Sequence, residues 1–354
     1  MNNNEILENI EYFIKEIVDK PQNIDNYLKL ASLYIQQLEY DLAKNVYNSL
    51  LEVEPNNFLA LTNLGNIYFY ENNYLKSIEY YTKAEKLNNE NFSVYFNLGN
   101  AFAELGEFEL AMANYIKAKN LSQNNSIIYS AIAMLYQDNE NYDEATRYYE
   151  KALQLDNSKA DNYANLAFVL MKKNQFIDAA ELFEKAFSYT NNDYKFFLYT
   201  ANAYSSATEY NKANDIFKKV IKYNPTNYHA YLCFAISLFE QNNIELAIIN
   251  YKNAIKIQPK MTNAYTLLGN LYSSIGEYTE AIKLYQTVAE LEPLNPNAYI
   301  LLGNSYVMIK DLVSAIKMYK KGIDIDSQND ELKLIYLETV QEYIKQLNGD
   351  KSAA

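Results

Sequence analysis

The chain has 354 residues, 49% of them apolar, and 31 basic against 44 acidic side chains give a net charge of −13. So acidic a chain repels phosphate backbones, which argues against a nucleic-acid partner, and one histidine with one cysteine supplies neither a metal site nor a disulfide framework. Met1 to Lys20 lacks the basic start and apolar run of an export signal, and the longest apolar stretch, around Tyr231 to Phe239, falls far short of the ~20 residues that cross a bilayer, so a cytoplasmic chain without membrane insertion is expected.

A first helix is predicted from Asn4 to Lys20, with Phe13 and Pro21 in the phase that an aromatic residue and a proline hold further along. It reads as the second helix of a degenerate repeat, so that residues 1–23 form an N-terminal cap. From Ile24 a period of 34 residues runs without insertion through nine blocks: 24–57, 58–91, 92–125, 126–159, 160–193, 194–227, 228–261, 262–295 and 296–329. The fourth place of a block is aromatic in eight of nine, from Tyr27 to Tyr299, with Leu61 the exception. The eighth is only Ala or Gly, from Ala31 and Gly65 to Gly303, as two closely approaching helix backbones require. The twentieth is Ala except at Ser77, and the twenty-fourth is Tyr or Phe throughout, from Tyr47 to Tyr319.

Pro21, Pro55, Pro225, Pro259 and Pro293 share one phase, and Pro296 opens the last block. Because proline inside a helix costs ~3 kcal/mol, these residues mark junctions between blocks. A turn within each block is predicted near the fifteenth place, where Asn72, Gly106, Asn174, Asn242 and Gly276 enter the left-handed region most cheaply. Each block is therefore helix, turn, helix. Residues 330–354 read as a capping helix and tail. The helix, Glu331 to Leu347, follows an N-cap box at Ser327 and Asp330, stops at Asn348 and Gly349, and leaves Gly349 to Ala354 as a frayed end. Leu337, large where a small residue is expected, marks a cap rather than a tenth repeat.

The pattern resembles the tetratricopeptide repeat, as the run from Ala264-Tyr265 through Leu268-Gly269 and Tyr272 to Pro293 illustrates. The resemblance implies an all-α fold, a right-handed superhelix of antiparallel helix pairs in which the first helix of each pair lines an inner groove. It also implies that places 2, 5, 6, 9, 12 and 13 face that groove. The family's carboxylate clamp finds no three consecutive blocks that supply it. The nearest set keeps Asn165 and Lys195 but has Ser130, Met134 and Tyr199 at the other corners.

Catalytic chemistry is poorly supported. The eight glycines occur singly and form no phosphate-binding loop, so no cofactor is expected. His229 and Cys233, four apart on one helix face, lack a third orienting residue and read as packing and lining residues. The pairs Glu240 with Glu245 and Asp138 with Glu140 lie near helix ends and read as solvated charge.

The implied groove is more informative. Its basic residues are Lys29, Lys172 and Lys195, against Asp25, Glu104, Asp138, Asp161 and Glu240, so an acidic ligand is poorly served. Asparagine recurs there: Asn63, Asn97 and Asn165 at the sixth place, and Asn66, Asn100, Asn202, Asn270 and Asn304 at the ninth, eight of 18 sites in a chain with 47 asparagines in 354 residues. An amide both donates and accepts, so the row serves either to bond the backbone of an extended peptide or to tie neighbouring helices together. The row is similar to the asparagine ladder in the superhelix of O-linked N-acetylglucosamine transferases, with no catalytic domain of that kind in this sequence. Phe69, Phe96, Phe168 and Phe239, with Leu59, Tyr70, Met134, Leu232 and others, add an apolar strip. The expectation is a non-enzymatic scaffold or adaptor that binds an extended or helical peptide segment of a protein partner across these asparagines and phenylalanines. The alternatives are a self-associating structural repeat protein, a homo-oligomer, and an enzyme with its only foothold at Cys233 and His229.

Overall fold

A computed structural model describes residues 3–190 and 195–352, and all regular structure among them is helical. The helices fall into two compact units, Met1–Gln175 and Phe176–Ala354. The first contains α1 (Asn3–Asp19), α2 (Ile24–Gln36), α3 (Tyr40–Val53), α4 (Phe58–Tyr70), α5 (Tyr74–Leu87), α6 (Phe92–Glu104), α7 (Phe108–Leu121), α8 (Ser126–Asp138), α9 (Tyr142–Leu155) and α10 (Ala160–Lys172). The second contains α11 (Phe176–Ser188), α12 (Lys195–Ser206), α13 (Tyr210–Tyr223), α14 (Tyr228–Glu240), α15 (Ile244–Ile257), α16 (Thr262–Ser274), α17 (Tyr278–Leu291), α18 (Pro296–Met308), α19 (Leu312–Ile325) and α20 (Asp330–Ser352).

The period of 34 has a simple physical composition. From α2 to α9 and from α14 to α19, a first helix of 13 residues, a three-residue connection, a second helix of 14 and a four-residue connection fill it. So short a connection leaves the two helices no course but antiparallel packing. The pair closes on itself because the eighth and twentieth places carry almost no side chain. Ala31, Ala43, Ala133, Ala145, Ala235 and Ala247 are fully buried, and the ring at the twenty-fourth place, buried from Tyr47 to Tyr319, fills the seam between them.

Asparagine starts many of these helices. Asn57, Asn91, Asn125, Asn227 and Asn295 accept from the backbone N–H of Ala60, Ser93, Ile127, Ala230 and Asn297 at the heads of five first helices. Asn73 and Asn141 do the same for two second helices. Each such cap contributes ~1 kcal/mol. Part of the asparagine excess in the sequence is therefore capping, a use that the groove-centred reading passed over.

Two expectations at the C-terminal end need correction. The helix cap is Asn329, whose Oδ1 accepts from Leu332 N–H at 2.9 Å, rather than a box at Ser327 and Asp330. The helix also runs on through Asn348 and Gly349 to Ser352. Glycine inside a helix costs only ~1 kcal/mol, and it ends a helix only where the chain turns into the left-handed region. Residues 353–354 of the expected tail lie outside the described residues.

Candidate functional site

Glycine at the eighth place lets a tyrosine ring lie directly on the helix backbone. A Cβ added to Gly65 would stand 2.5 Å from Tyr81 Cε1, and one added to Gly99 would stand 2.5 Å from both Cδ1 and Cε1 of Tyr115. A ring so placed carries its hydroxyl to the residue after the glycine. Tyr81 donates to Asn66 Oδ1 at 2.7 Å, Tyr115 to Asn100 at 2.8 Å, Tyr285 to Asn270 at 2.8 Å and Tyr319 to Asn304 at 2.7 Å. Burial holds all four phenols well above the usual range, Tyr285 and Tyr319 at about 12, so they remain donors at neutral pH. The remaining ninth-place asparagine, Asn202, follows Ala201 and faces no tyrosine at the seam, where Phe217 stands. Its amide bonds Cys233 on the next first helix.

Where the eighth residue is alanine, the hydroxyl goes elsewhere. Tyr47 turns to Asn63 on α4, and Tyr149 to Gln137 at 3.1 Å and to Asn165 on α10. Asn97 reaches back from α6 to donate to Asn66 Oδ1 at 3.0 Å, and Asn66 in turn donates to Asn63 at 3.4 Å. All eight asparagines of the predicted row therefore have a bond to the scaffold. The oxygens of Asn63, Asn66, Asn100, Asn270 and Asn304 are occupied. Among the described residues, however, the Nδ2 groups of Asn100, Asn270 and Asn304 have no partner. Asn270 and Asn304 are exposed and Asn100 is half-buried.

The twelve residues picked from the sequence are divided between the units, Asn63 to Phe168 in the first and Asn202 to Asn304 in the second. Phe69, Phe96 and Phe239 are half-buried, while Phe168 is 38% exposed. Leu59, Tyr70 and Met134 are exposed, but Leu232, expected on the same strip, is buried in the core.

In the first unit, Phe69 and Asn100 meet at a cavity of about 370 Å³ between α4, α6, α7 and α8. Buried Tyr115 and Leu135 line it together with Ala103 and Ala131, Phe69 and Met134 form apolar walls, and Glu104 and Asp138 stand at its exposed rim. Partial burial, and then the charge of Glu104, hold the Asp138 carboxyl above its ordinary range. Sequence reasoning counted these two carboxylates as groove charge but did not join them. The available signal was an acidic residue at the thirteenth place of two consecutive blocks.

A second cavity, about 440 Å³, lies between α11, α12 and α13 of the second unit and holds none of the residues picked from the sequence. Phe187 and Phe197 stack there at 4.1 Å between centroids, and Tyr204 donates to Glu184 at 3.2 Å, with its phenol pushed up to about 12 by burial and by Glu184. The first-helix rule gave no reason to look there. Cys233 is unsuited to nucleophilic chemistry: burial raises its thiol pKa against the opposing bond from Asn202, and a protonated thiol is a poor nucleophile.

Comparison with known proteins gives a consistent picture. Residues 52–260 match the family model of the cilia and flagella-associated protein 70 C-terminal domain, residues 269–310 match a TPR repeat model, and residues 24–57 and 296–329 match a tetratricopeptide repeat model. None of the matched models is of an enzymatic domain. No curated protein sequence matches the chain. Among solved structures, yeast Tom70 is 16% identical over 97% of this chain and 93% of its own, with a TM-score of 0.51. The C-terminal part of a TPR repeat-containing protein from Cytophaga hutchinsonii is 20% identical over 77% of this chain and 97% of its own, with a TM-score of 0.50. YrrB, described as a TPR protein with an unusual peptide-binding site, is 27% identical over 52% of this chain and 95% of its own, with a TM-score of 0.46. The likeness to Tom70 and to the Cytophaga protein is one of fold. No helix of the described residues is long and apolar enough to cross a membrane.

Proposed function

This chain belongs to the tetratricopeptide repeat family, and from that premise we propose that it is a non-enzymatic scaffold that holds an extended or helical segment of a partner protein along the first helices of its pairs. One observation carries the reading. At Asn100, Asn270 and Asn304 the tyrosine hydroxyl occupies the amide oxygen and leaves the Nδ2 donors unpaired. Scaffold duty and binding duty thus fall on different atoms of one side chain. A donor held in place by its own oxygen is pre-organised for a peptide carbonyl, so little side-chain entropy is lost on binding. Exposed Leu59, Tyr70, Met134 and Phe168 supply apolar contact on other first helices of the first unit, α4, α8 and α10.

The test separates the two duties. Short random peptides are selected by display on the full chain, and their affinities are measured against two triple variants. Tyr115→Phe with Tyr285→Phe and Tyr319→Phe removes the three scaffold bonds but keeps the amides. Asn100→Ala with Asn270→Ala and Asn304→Ala removes both. The two variants should lose similar stability, about 1 kcal/mol per bond, while the asparagine variant should lose peptide affinity by about tenfold or more and the phenylalanine variant, which gives up only the pre-organisation of its donors, by much less. Equal affinity for the two variants, or a selection that yields no binder, sinks the reading.

A further inference from the structure

The cavity of the first unit has a composition that selects what enters it. Phe69 and Met134 form apolar walls, with buried Leu135 and Tyr115 and the amide of Asn100 also in its lining, so a carbon chain finds apolar contact between the two walls. Its rim is acidic. Across the blocks 58–91, 92–125 and 126–159, the groove-lining places hold no charged residue except Glu104 and Asp138. Neither has an ion-pair partner among the described residues, and Glu104 accepts only a long bond, 3.3 Å, from the Tyr74 hydroxyl. Elsewhere in the same unit, carboxylates at helix ends are neutralised across neighbouring pairs, Glu71 by Lys44 and Asp143 by Lys173, each at 2.7 Å. What sets Glu104 and Asp138 apart is that both unpaired carboxylates stand on one cavity, where a single cation can meet the two together.

We propose that this cavity takes a lysine or arginine side chain of the bound segment, with its alkyl stem between Phe69 and Met134 and its cationic head between the Glu104 and Asp138 carboxylates. The proposal rests on the reading of the chain as a peptide scaffold and adds the chemistry of one residue of the peptide. Charge and shape both serve selectivity. An acidic side chain meets two carboxylates, a purely apolar one leaves them without a counter-charge, and only a long basic one satisfies both interior and rim. Partial burial, and then the charge of Glu104, already raise the cost of ionising Asp138, and a cation between the two carboxylates relieves it. The net charge of −13 draws basic segments towards the chain at low ionic strength.

The same display selection of short random peptides on the full chain tests this. Peptides whose affinity falls with Asn100→Ala are the ones scored, because Asn100 lines the cavity. They should be enriched in Lys or Arg. Their affinity should fall about tenfold or more in the Glu104→Gln, Asp138→Asn double variant, which keeps the wild-type helical signal and thermal midpoint because both side chains stand at the surface. Exchanging the peptide's basic residue for norleucine should cost a similar factor against the wild type and almost nothing against the double variant. Added salt should weaken binding to the wild type more than to the double variant. Asn100-dependent peptides that lack a basic residue, or that bind the double variant as tightly, overturn the proposal while the scaffold reading stands. Binders that ignore Asn100, Asn270 and Asn304 alike overturn both.

Discussion

Glycine and alanine at the eighth place of a repeat are two different solutions to one packing problem. With alanine, as at Ala31 and Ala133, the seam ring stands back and its hydroxyl goes to Asn63 in one case and to Gln137 and Asn165 in the other. With glycine, the ring slides onto the backbone and its hydroxyl finds the asparagine that comes next, as Tyr285 finds Asn270. The triplet of glycine, asparagine and a tyrosine 15 residues beyond occurs in four blocks and was legible in the sequence, but only to a reader who took the eighth, ninth and twenty-fourth places together. Read separately, they gave a close approach, a ladder and a core ring, and the hydroxyl-to-amide bond was lost between them. Gly269→Ala tests the coupling, since its Cβ would stand 2.5 Å from Tyr285 Cε1. The expected loss is about 1–3 kcal/mol, seen as a lower thermal midpoint. Tyr285→Phe should not rescue it, because the clash is with ring carbon rather than the hydroxyl, whereas Tyr285→Leu should recover part. An unchanged midpoint for Gly269→Ala would show that the ring moves back at no cost and that the two solutions are interchangeable.

The turn between the two helices of a pair shows where local sequence is overruled. Its fifteenth-place residue has positive φ in all nine blocks: Gly106 and Gly276, Asn72, Asn174 and Asn242, and also Leu38, Glu140, Thr208 and Lys310. The first five were predicted from residue type. The other four were not, because no property of Leu, Glu, Thr or Lys favours that conformation. What imposes it is the bonding of the helix end. The N–H of the sixteenth residue returns to the carbonyl of the eleventh, as from Glu209 to Tyr204 and from Glu277 to Tyr272, each near 2.9 Å, which is the six-to-one bond of a Schellman turn. That bond, together with the packing of both helices, outweighs the ~1–2 kcal/mol penalty of one left-handed residue. At Gly106 and Gly276 an added Cβ would meet nothing within 4 Å, so glycine is there for its φ and not for space. Thr208, β-branched at φ 61°, bears the greatest strain of the nine. Thr208→Gly should therefore stabilise the second unit by about 0.5–1 kcal/mol net of glycine's greater freedom when unfolded, and Gly276→Thr should destabilise it. Chemical denaturation of both variants settles the sign. A loss of stability in Thr208→Gly would mean that the threonine side chain makes a compensating contact.

Over the whole chain, the fold was legible because a period of 34 with fixed large and small places leaves one way to stack, and the repetition averages out local exceptions such as Leu61 and Ser77. The binding face was less so, since an asparagine carries the same letter whether it caps a helix, as Asn57 does, anchors a tyrosine, as Asn304 does, or keeps a donor unpaired. The anchoring tyrosines recur in both units, and their collective ionisation is a property of the molecule rather than of any site. Burial pushes the phenols of Tyr47, Tyr251, Tyr285 and Tyr319 up to about 12, and those of Tyr81, Tyr115 and Tyr149 well up too. In the unfolded chain each would ionise near ~10. The folded pKa is the higher one, so the stability these groups contribute is fully present below about pH 10 and is lost as pH rises from there through about 12. Each unit of difference is worth about 1.4 kcal/mol per tyrosine, and each phenolate adds to a charge that is already −13. Alkaline titration followed by phenolate absorbance and helical circular dichroism together should therefore show two steps. The first leaves the helices intact, and in the second the buried set ionises together with the loss of helix. Replacing Tyr285 and Tyr319 by Phe removes two of the ionisations that drive the second step and should move its midpoint to higher pH, even though the same change costs about 1 kcal/mol per lost hydroxyl bond at neutral pH. If every tyrosine ionised while the helical signal stayed whole, the seam rings would have to be reachable by water in the folded chain, which their burial opposes.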